Sequence, residues 1–231
     1  MTAPSRSPAV SARRKTGRPR APMAKRPKTR WCIATPARST PEMPDMNRAP
    51  HERPIPGAAA KLAAQVSALL PVADTARTRL RPATLADFDV FAEIACDPVR
   101  GAGMGGAQDR ESAFREYAAM VGCWLLRGHG LWAVMHEGAC AGFVQIGFEP
   151  GDEEPELGWF FTEAYEGKGL AREAAEAARE IGFCLLGLPS MVSYVDSFNS
   201  RSNALAQRMN ADRIPSPNPD LFIWRHKRPD Q

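Results

Sequence analysis

Apolar residues recur at spacings of three and four in several long stretches of this chain and at every second position in shorter ones, so the pattern predicts a mixture of helices and strands. The first strand is predicted over TRLRPAT (78–84), ended by Pro82, with Thr84 then capping a helix over LADFDVFAEIA. RESAFREYAAMVGCWLL (110–126) reads as a second helix, with Phe114, Tyr117, Ala118, Val121 and Leu125 on one side. LWAVMH (131–136) and ACAGFVQIGFE (139–149) form a hairpin through Glu137-Gly138. PELGWFFT (155–162) is apolar on both faces from Trp159 to Phe161, which predicts a central, buried strand. A helix after Lys168 carries Leu170, Ala171, Ala174, Ala175, Ala178 and Ile181 on its apolar face. MVSYVDS (191–197), SRSNALAQRM (200–209) and LFIW (221–224) complete the pattern as strand, helix and strand. Strands and helices in this order predict one α/β domain over residues 74–231.

Charge changes the picture at the N-terminal end. The chain of 231 residues has a net charge of +4, but 13 of its Lys and Arg and only 3 of its Asp and Glu fall in residues 1–60, leaving 17 basic and 23 acidic residues beyond. Residues 1–57, rich in proline and arginine and poor in large aliphatic residues, predict a disordered basic tail, because such a segment cannot bury enough surface to offset its ordering entropy. Within it, RRKTGRPRAPMAKRPK (13–28) holds Gly17-Arg18-Pro19 between basic residues and resembles an AT-hook, an arginine–proline strand suited to a narrow A·T minor groove. A solvated tail, or sequence upstream of a start at Met43 or Met46, is the other reading of that composition. AAAKLAAQVSALL (58–70) is shorter than the ~20 residues of a membrane span and is interrupted by Lys61 and Gln65. With Leu62, Val66, Leu69 and Leu70 on one face, residues 58–73 predict a short amphipathic helix and linker docked on the body. Five scattered cysteines without a C-x-x-C pair and four scattered histidines predict reduced thiols, a cytoplasmic location and no metal.

Two glycine-rich stretches are candidates for anion binding. GAGMGG (101–106) satisfies G-x-G-x-x-G, yet it follows a helix, whereas a dinucleotide turn follows a strand and opens a helix. An interhelix loop is the expectation there. Glu166-Gly167-Lys168-Gly169 has the right context, a strand before it and a helix after it, so that main-chain amides can converge on an anion at the positive end of the helix dipole. No G-x-x-x-x-G-K-[ST] is present, which excludes a nucleotide-hydrolase phosphate loop.

ELGWFFTEAYEGKGLAREAAEAAREIGF, followed by NSRSNALAQRMNA, resembles the GNAT superfamily of acetyl-CoA-dependent N-acetyltransferases, in its ribosomal-protein N-terminal acetyltransferase branch, over about residues 77–226. The resemblance implies a central mixed, mostly antiparallel sheet flanked by helices. It implies that the 166–171 turn, through Gly167, Lys168, Gly169, Leu170 and Ala171, holds the cofactor diphosphate, and that Asn199 and Ser202 contact the pantetheine arm. That arm would lie beside Phe160, Phe161 and Thr162 like an added strand. Glu166 stands where the family has Gln or Arg, Asn210 where it has Gly, and Ala206 where a tyrosine acid often sits. Glu156 is the candidate base and Ser202 the candidate for reprotonating the thiolate, with a main-chain N–H of the Trp159–Phe161 segment, freed by a bulge near Gly158, facing the oxyanion.

The acidic run EPGDEEPE (149–156) reads either as a solvated hairpin tip or as an attractor for a cationic amine, and Trp132 and Trp159 either as core or as walls of an acceptor pocket. The function expected is therefore acetyl transfer from acetyl-CoA to a primary amine, on a protein N-terminus or a small molecule, by direct attack in a ternary complex. The alternative is a DNA-associated protein that uses its tail, with a non-catalytic or coenzyme A-sensing body. The expected partners are an amine acceptor, nucleic acid only through the tail, and no membrane, in a monomer or homodimer.

Overall fold

The Glu137-Gly138 turn sets the register of the sheet. Both residues take positive φ, 49° and 84°, the mirror-image turn that matches strand twist. It joins β4 (Leu131–His136) to β5 (Ala139–Gly147). The computed structural model describes residues 30–33 and 48–228. Around this hairpin the described strands are β1 (Arg30–Ile33), β2 (Pro71–Asp74), β3 (Arg79–Pro82), β6 (Glu156–Phe161), β7 (Val192–Asp196), β8 (Asp212–Ile214) and β9 (Leu221–Arg225). They form one sheet in the order β1-β2-β3-β4-β5-β6-β7-β9-β8. Among its described pairings only β6–β7 is parallel.

Alternation along β4 sends side chains to two cores. Leu131 and Ala133 meet Phe88, Phe91 and Ala113 from α2 (Phe88–Ala95) and α3 (Arg110–Arg127), while Trp132 and Val134 meet Leu170, Ala174 and Ala178 from α4 (Leu170–Glu180). Helices thus cover both faces, with α5 (Ser200–Arg208) beside β7. The mixed, mostly antiparallel sheet flanked by helices matches the expectation. Thr84 and Asp87 form a reciprocal capping box ahead of α2.

Three expectations change. Residues 30–33 and 48–57 fall inside the stretch predicted as tail, yet Arg30–Ile33 pairs with β2, and the buried Glu52 carboxylate accepts two bonds from Arg110 at 2.8 Å. The remainder of that stretch, including the AT-hook-like residues 13–28, lies outside the described residues. Helix α1 (Ala58–Ala68) has no buried residue; Leu62 and Leu69 are 61% and 70% exposed, and Val66 and Leu70, at the end that feeds β2, are half-buried. On α3 the buried stripe is Ala113, Tyr117, Met120 and Trp124, so the face is turned away from Leu125, which is 76% exposed. The 113/117/120/124 stripe has the same 4-3-4 steps as 114/118/121/125 one residue on, so periodicity alone does not choose between the two adjacent faces.

Trp132 is fully buried, edge-on to Trp124 at 4.6 Å, with its indole N–H donating to the Pro71 carbonyl at 2.8 Å. It therefore has no surface for an acceptor, and the pocket-wall reading fails for it. Trp132→Ala removes this packing and orphans the Pro71 carbonyl. A loss of about 3–5 kcal/mol in urea unfolding is expected, without a specific effect on ligand affinity.

Candidate active site

Strands β6 and β7 begin together and then part. They share a single register pair, Glu156 with Val192, beside a bond from the Val192 N–H to the Pro155 carbonyl. At the next residue the Leu157 carbonyl accepts from the Ser193 hydroxyl instead of from β7 main chain. Since Ser193 spends its proton there, the His226 Nε2–H donates to Ser193 Oγ at 2.9 Å, and burial with nearby Arg179 pulls the His226 pKa down to about 3. Side chains thus wedge the two strands apart.

On the other edge, the Thr162 N–H donates to the Ala141 carbonyl of β5. By strand alternation Trp159 and Phe161 turn their N–H and C=O groups toward the opening left by β7. This gives the predicted exposed donors, but by a different route. The β5–β6 register runs unbroken from Gly142–Phe161 to Gly147–Glu156, with no bulge at Gly158. The sheet's irregularity lies in β4–β5, between Val134 and Met135. Nor is β6 buried throughout: Leu157 and Phe161 are, while Trp159 and Phe160 are half-exposed because no strand covers that edge. Phe160 stacks on Phe143 at 5.6 Å, and the Thr162 side chain is buried; the main-chain groups of both point to β5 or into the following turn, so the open edge is that of Trp159 and Phe161.

The turn after β6 faces the same opening. Gly167 and Gly169 have φ of 70° and 79°, left-handed values that a side chain disfavours. Two such residues so close together aim the chain directly into α4, whose first turn no side chain caps. Its leading N–H groups are left for an outside acceptor, and this cradle fits a diphosphate. The turn is braced from a distance: Arg77 Nη1 donates to the Lys168 carbonyl at 2.9 Å and Arg77 Nε to Glu173 at 2.8 Å. Glu173 accepts also from Thr75 and from the Arg77 N–H. Burial would raise the Glu173 pKa, but these bonds win and hold it below the usual range. Sequence reading missed both brace residues. Lys168 itself is exposed, its ammonium 5.1 Å from the centre of the Tyr165 ring.

Helix α5 opens on the other side of the split. Asn199 Oδ1 caps it by accepting from the Ser202 N–H at 3.1 Å, and Ser202 Oγ accepts from the Trp159 indole at 3.3 Å, which keeps the hydroxyl proton available. The GAGMGG stretch is a 3-10 turn (Gly101–Met104) between α2 and α3, as expected of an interhelix loop. It packs so close to α5 that a Cβ on Gly103 would lie 3.1 Å from Asn199 Nδ2. Ala206 is buried and Asn210 is left-handed at φ 60°, as its capping position requires.

Glu156 lies where β6 and β7 begin to part. Burial first, then the Asp152 and Glu149 carboxylates, push its carboxyl up to about 8, opposed by a Tyr194 main-chain bond. Glu149 is raised by burial and by Asp152. Of the acidic run, Glu149, Asp152 and Glu156 therefore form one electrostatic group. Glu154 instead pairs with Arg225, and Glu153 is exposed. Among the described residues no group of three His, Cys, Asp or Glu could hold a metal ion, and no helix is long and apolar enough to cross a membrane.

The raised carboxyl carries a stability signature. Between about pH 4.5 and pH 8 the folded protein keeps a proton on Glu156 that the unfolded chain releases, so this group lowers stability as pH rises through that window. His226, whose folded pKa is depressed, acts in the opposite direction below its ordinary value of 6.5. The wild-type minus Glu156→Gln difference in unfolding free energy isolates the glutamate, and it is expected to fall steadily across the window.

A family model described as "Acetyltransferase (GNAT) domain" matches residues 77–211. The chain is similar to the crystal structure of an acetyltransferase from Agrobacterium tumefaciens, at 34% identity and a TM-score of 0.64, over 69% of this chain and 95% of that one. A GNAT-family protein from Bordetella pertussis shares the fold at 22% identity and a TM-score of 0.54, over 68% of this chain and 99% of that one. The ribosomal L7/L12 α-N-protein acetyltransferase RimL, solved with coenzyme A, shares it at 14% identity and a TM-score of 0.53, over 67% and 96%. A split sheet with an uncapped helix facing the split, matched by the family over most of the domain, shows that this chain belongs to the GNAT acetyltransferases.

Proposed function

We propose that this enzyme transfers the acetyl group of acetyl-CoA to a primary amine, on a protein N-terminus or a small molecule, by direct attack within a ternary complex. The observation that carries the reading is the placement of Glu156. A carboxyl raised to about 8 lies at the start of the strand whose far end delivers the uncapped α4 amides. A free α-amine has a pKa of about 7.7–8, so proton transfer from it to this carboxylate is close to thermoneutral, the condition that favours general-base catalysis.

In this reading Gly167–Ala171 seat the diphosphate through main-chain N–H groups. The open edges of Trp159 and Phe161 take the pantetheine arm as an added strand and face the carbonyl oxygen as it gains charge. Glu149 and Asp152 draw a cationic amine toward Glu156, which accepts its proton. Ser202 can donate a hydrogen bond to the departing thiolate, which takes its proton from solvent. Trp159, half-buried beside Ser202, is the remaining aromatic candidate for the acceptor side. The similarity to RimL supports acceptors that are protein N-termini only at the level of the fold.

The test is release of free thiol from acetyl-CoA across a panel of amines and N-terminal peptides, with acetylated product identified by mass. Turnover that requires both substrates at once supports the reading. Coenzyme A binding without turnover on any amine would contradict it.

A further inference from the structure

One of the residues that depart from the family pattern, Glu166, lies against two arginines from other parts of the chain. Arg100 Nε lies 3.2 Å from its Oε1, and Arg201, in the first turn of α5, donates to its Oε2. The two differ in how firmly they are placed. The Arg100 side chain is 14% exposed and is shared with Asp97 at 3.2 Å and Glu163 at 3.3 Å. The Arg201 side chain is 62% exposed, and Glu166 is the carboxylate it engages.

Around the turn, three arginines stand against four carboxylates: Arg77 faces Glu173, Arg100 faces Asp97, Glu163 and Glu166, and Arg201 faces Glu166. A diphosphate seated one residue beyond Glu166 meets a like charge unless that carboxylate stays neutralised. It is also served by an arginine that is exposed enough to leave its carboxylate, as Arg201 is. We propose that Arg201 is a phosphate-binding residue, with Glu166 as its resting counter-anion and Arg100 as the cation that stays beside Glu166 once Arg201 turns to the ligand. This explains why one carboxylate carries two arginines. A guanidinium bound through one nitrogen keeps further donors for a phosphate, and an exposed one reorients at little cost.

The inference rests on the coenzyme A reading above, and the test separates the two. Calorimetric titrations of the full chain compare coenzyme A, dephospho-coenzyme A and pantetheine, which lacks the diphosphate and the adenosine 3′-phosphate. Arg201→Gln is expected to weaken coenzyme A about tenfold and to leave pantetheine unchanged. Glu166→Gln, which removes the competing anion, is expected to strengthen coenzyme A binding roughly threefold to tenfold. A loss shared by dephospho-coenzyme A assigns Arg201 to the diphosphate, and a loss confined to coenzyme A assigns it to the 3′-phosphate; both support the proposal. Unchanged coenzyme A affinity in Arg201→Gln, an equal loss for pantetheine, or weaker binding by Glu166→Gln would overturn it. Wild-type protein that does not bind coenzyme A would overturn the underlying reading as well.

Discussion

Glu156→Gln is expected to lower kcat for acetyl transfer by about a hundredfold to a thousandfold, within the range for loss of a positioned base, while the Kd for coenzyme A stays near the wild-type value. The substitution keeps the shape of the side chain and removes its ability to accept a proton. The pH profile makes the test specific. Wild-type kcat should rise with pH and level off above about 8, where the Glu156 carboxylate forms, given that burial and then Asp152 and Glu149 raise it. With an acceptor whose own amine is neutral well below that value, the remaining limb reports the glutamate alone, and it should be absent in Glu156→Gln. Asp152→Asn should move the limb to lower pH, because it removes a neighbouring negative charge that favours the protonated form. A Glu156→Gln enzyme with wild-type kcat and an unchanged pH limb would remove Glu156 from the chemistry.

Gly169→Val is expected to raise the acetyl-CoA KM by about a hundredfold or more, and two magnitudes point the same way. A β-branched residue at φ 79° costs about 1–2 kcal/mol in left-handed backbone. Relief of that strain turns the Lys168–Ala171 amides away from a common point, and each charge-assisted bond lost to a phosphate is worth about 1.5–3 kcal/mol. Local crowding is not the cause: a Cβ at Gly169 would sit 3.4 Å from the flexible end of Arg77, an ordinary contact. The effect should therefore appear in cofactor affinity before it appears in stability. Saturation kinetics in acetyl-CoA, with thermal unfolding as control, separate the two. A folded Gly169→Val protein with wild-type KM would show that the turn holds nothing.

What could be read from sequence was what neighbouring residues decide. The Glu137-Gly138 hairpin, the glycine turn that opens α4 and the positive-φ Asn210 all follow from backbone preferences of residues adjacent in the chain. The short strands β2 and β8 have too few residues to establish an alternation, and β1 interrupts a composition that otherwise reads as unstructured. Trp132 stayed open between core and pocket wall because alternation separates two faces but does not say which lines a pocket.

The supporting contacts of the site were illegible for a different reason. Arg77 meets Glu173 across 96 positions, Ser193 meets His226 across 33, and Arg201 meets Glu166 across 35. No local pattern relates such pairs; only the folded sheet and the two helices that abut it bring them together. The Glu166 departure was visible as an anomaly, and its compensating arginines were not. The opening itself came from an unforeseen source, since the β6–β7 gap is held by the Ser193 and His226 side chains and not by a bulge in β6.

Amide hydrogen exchange across residues 166–172, followed by mass spectrometry with and without coenzyme A, tests the cradle itself. The account predicts that exchange in this segment slows on ligand addition, together with the Trp159–Phe161 segment, while the exposed helix α1, which has no buried residue, stays unchanged. Coenzyme A that binds yet leaves exchange at 166–172 unaltered would contradict it.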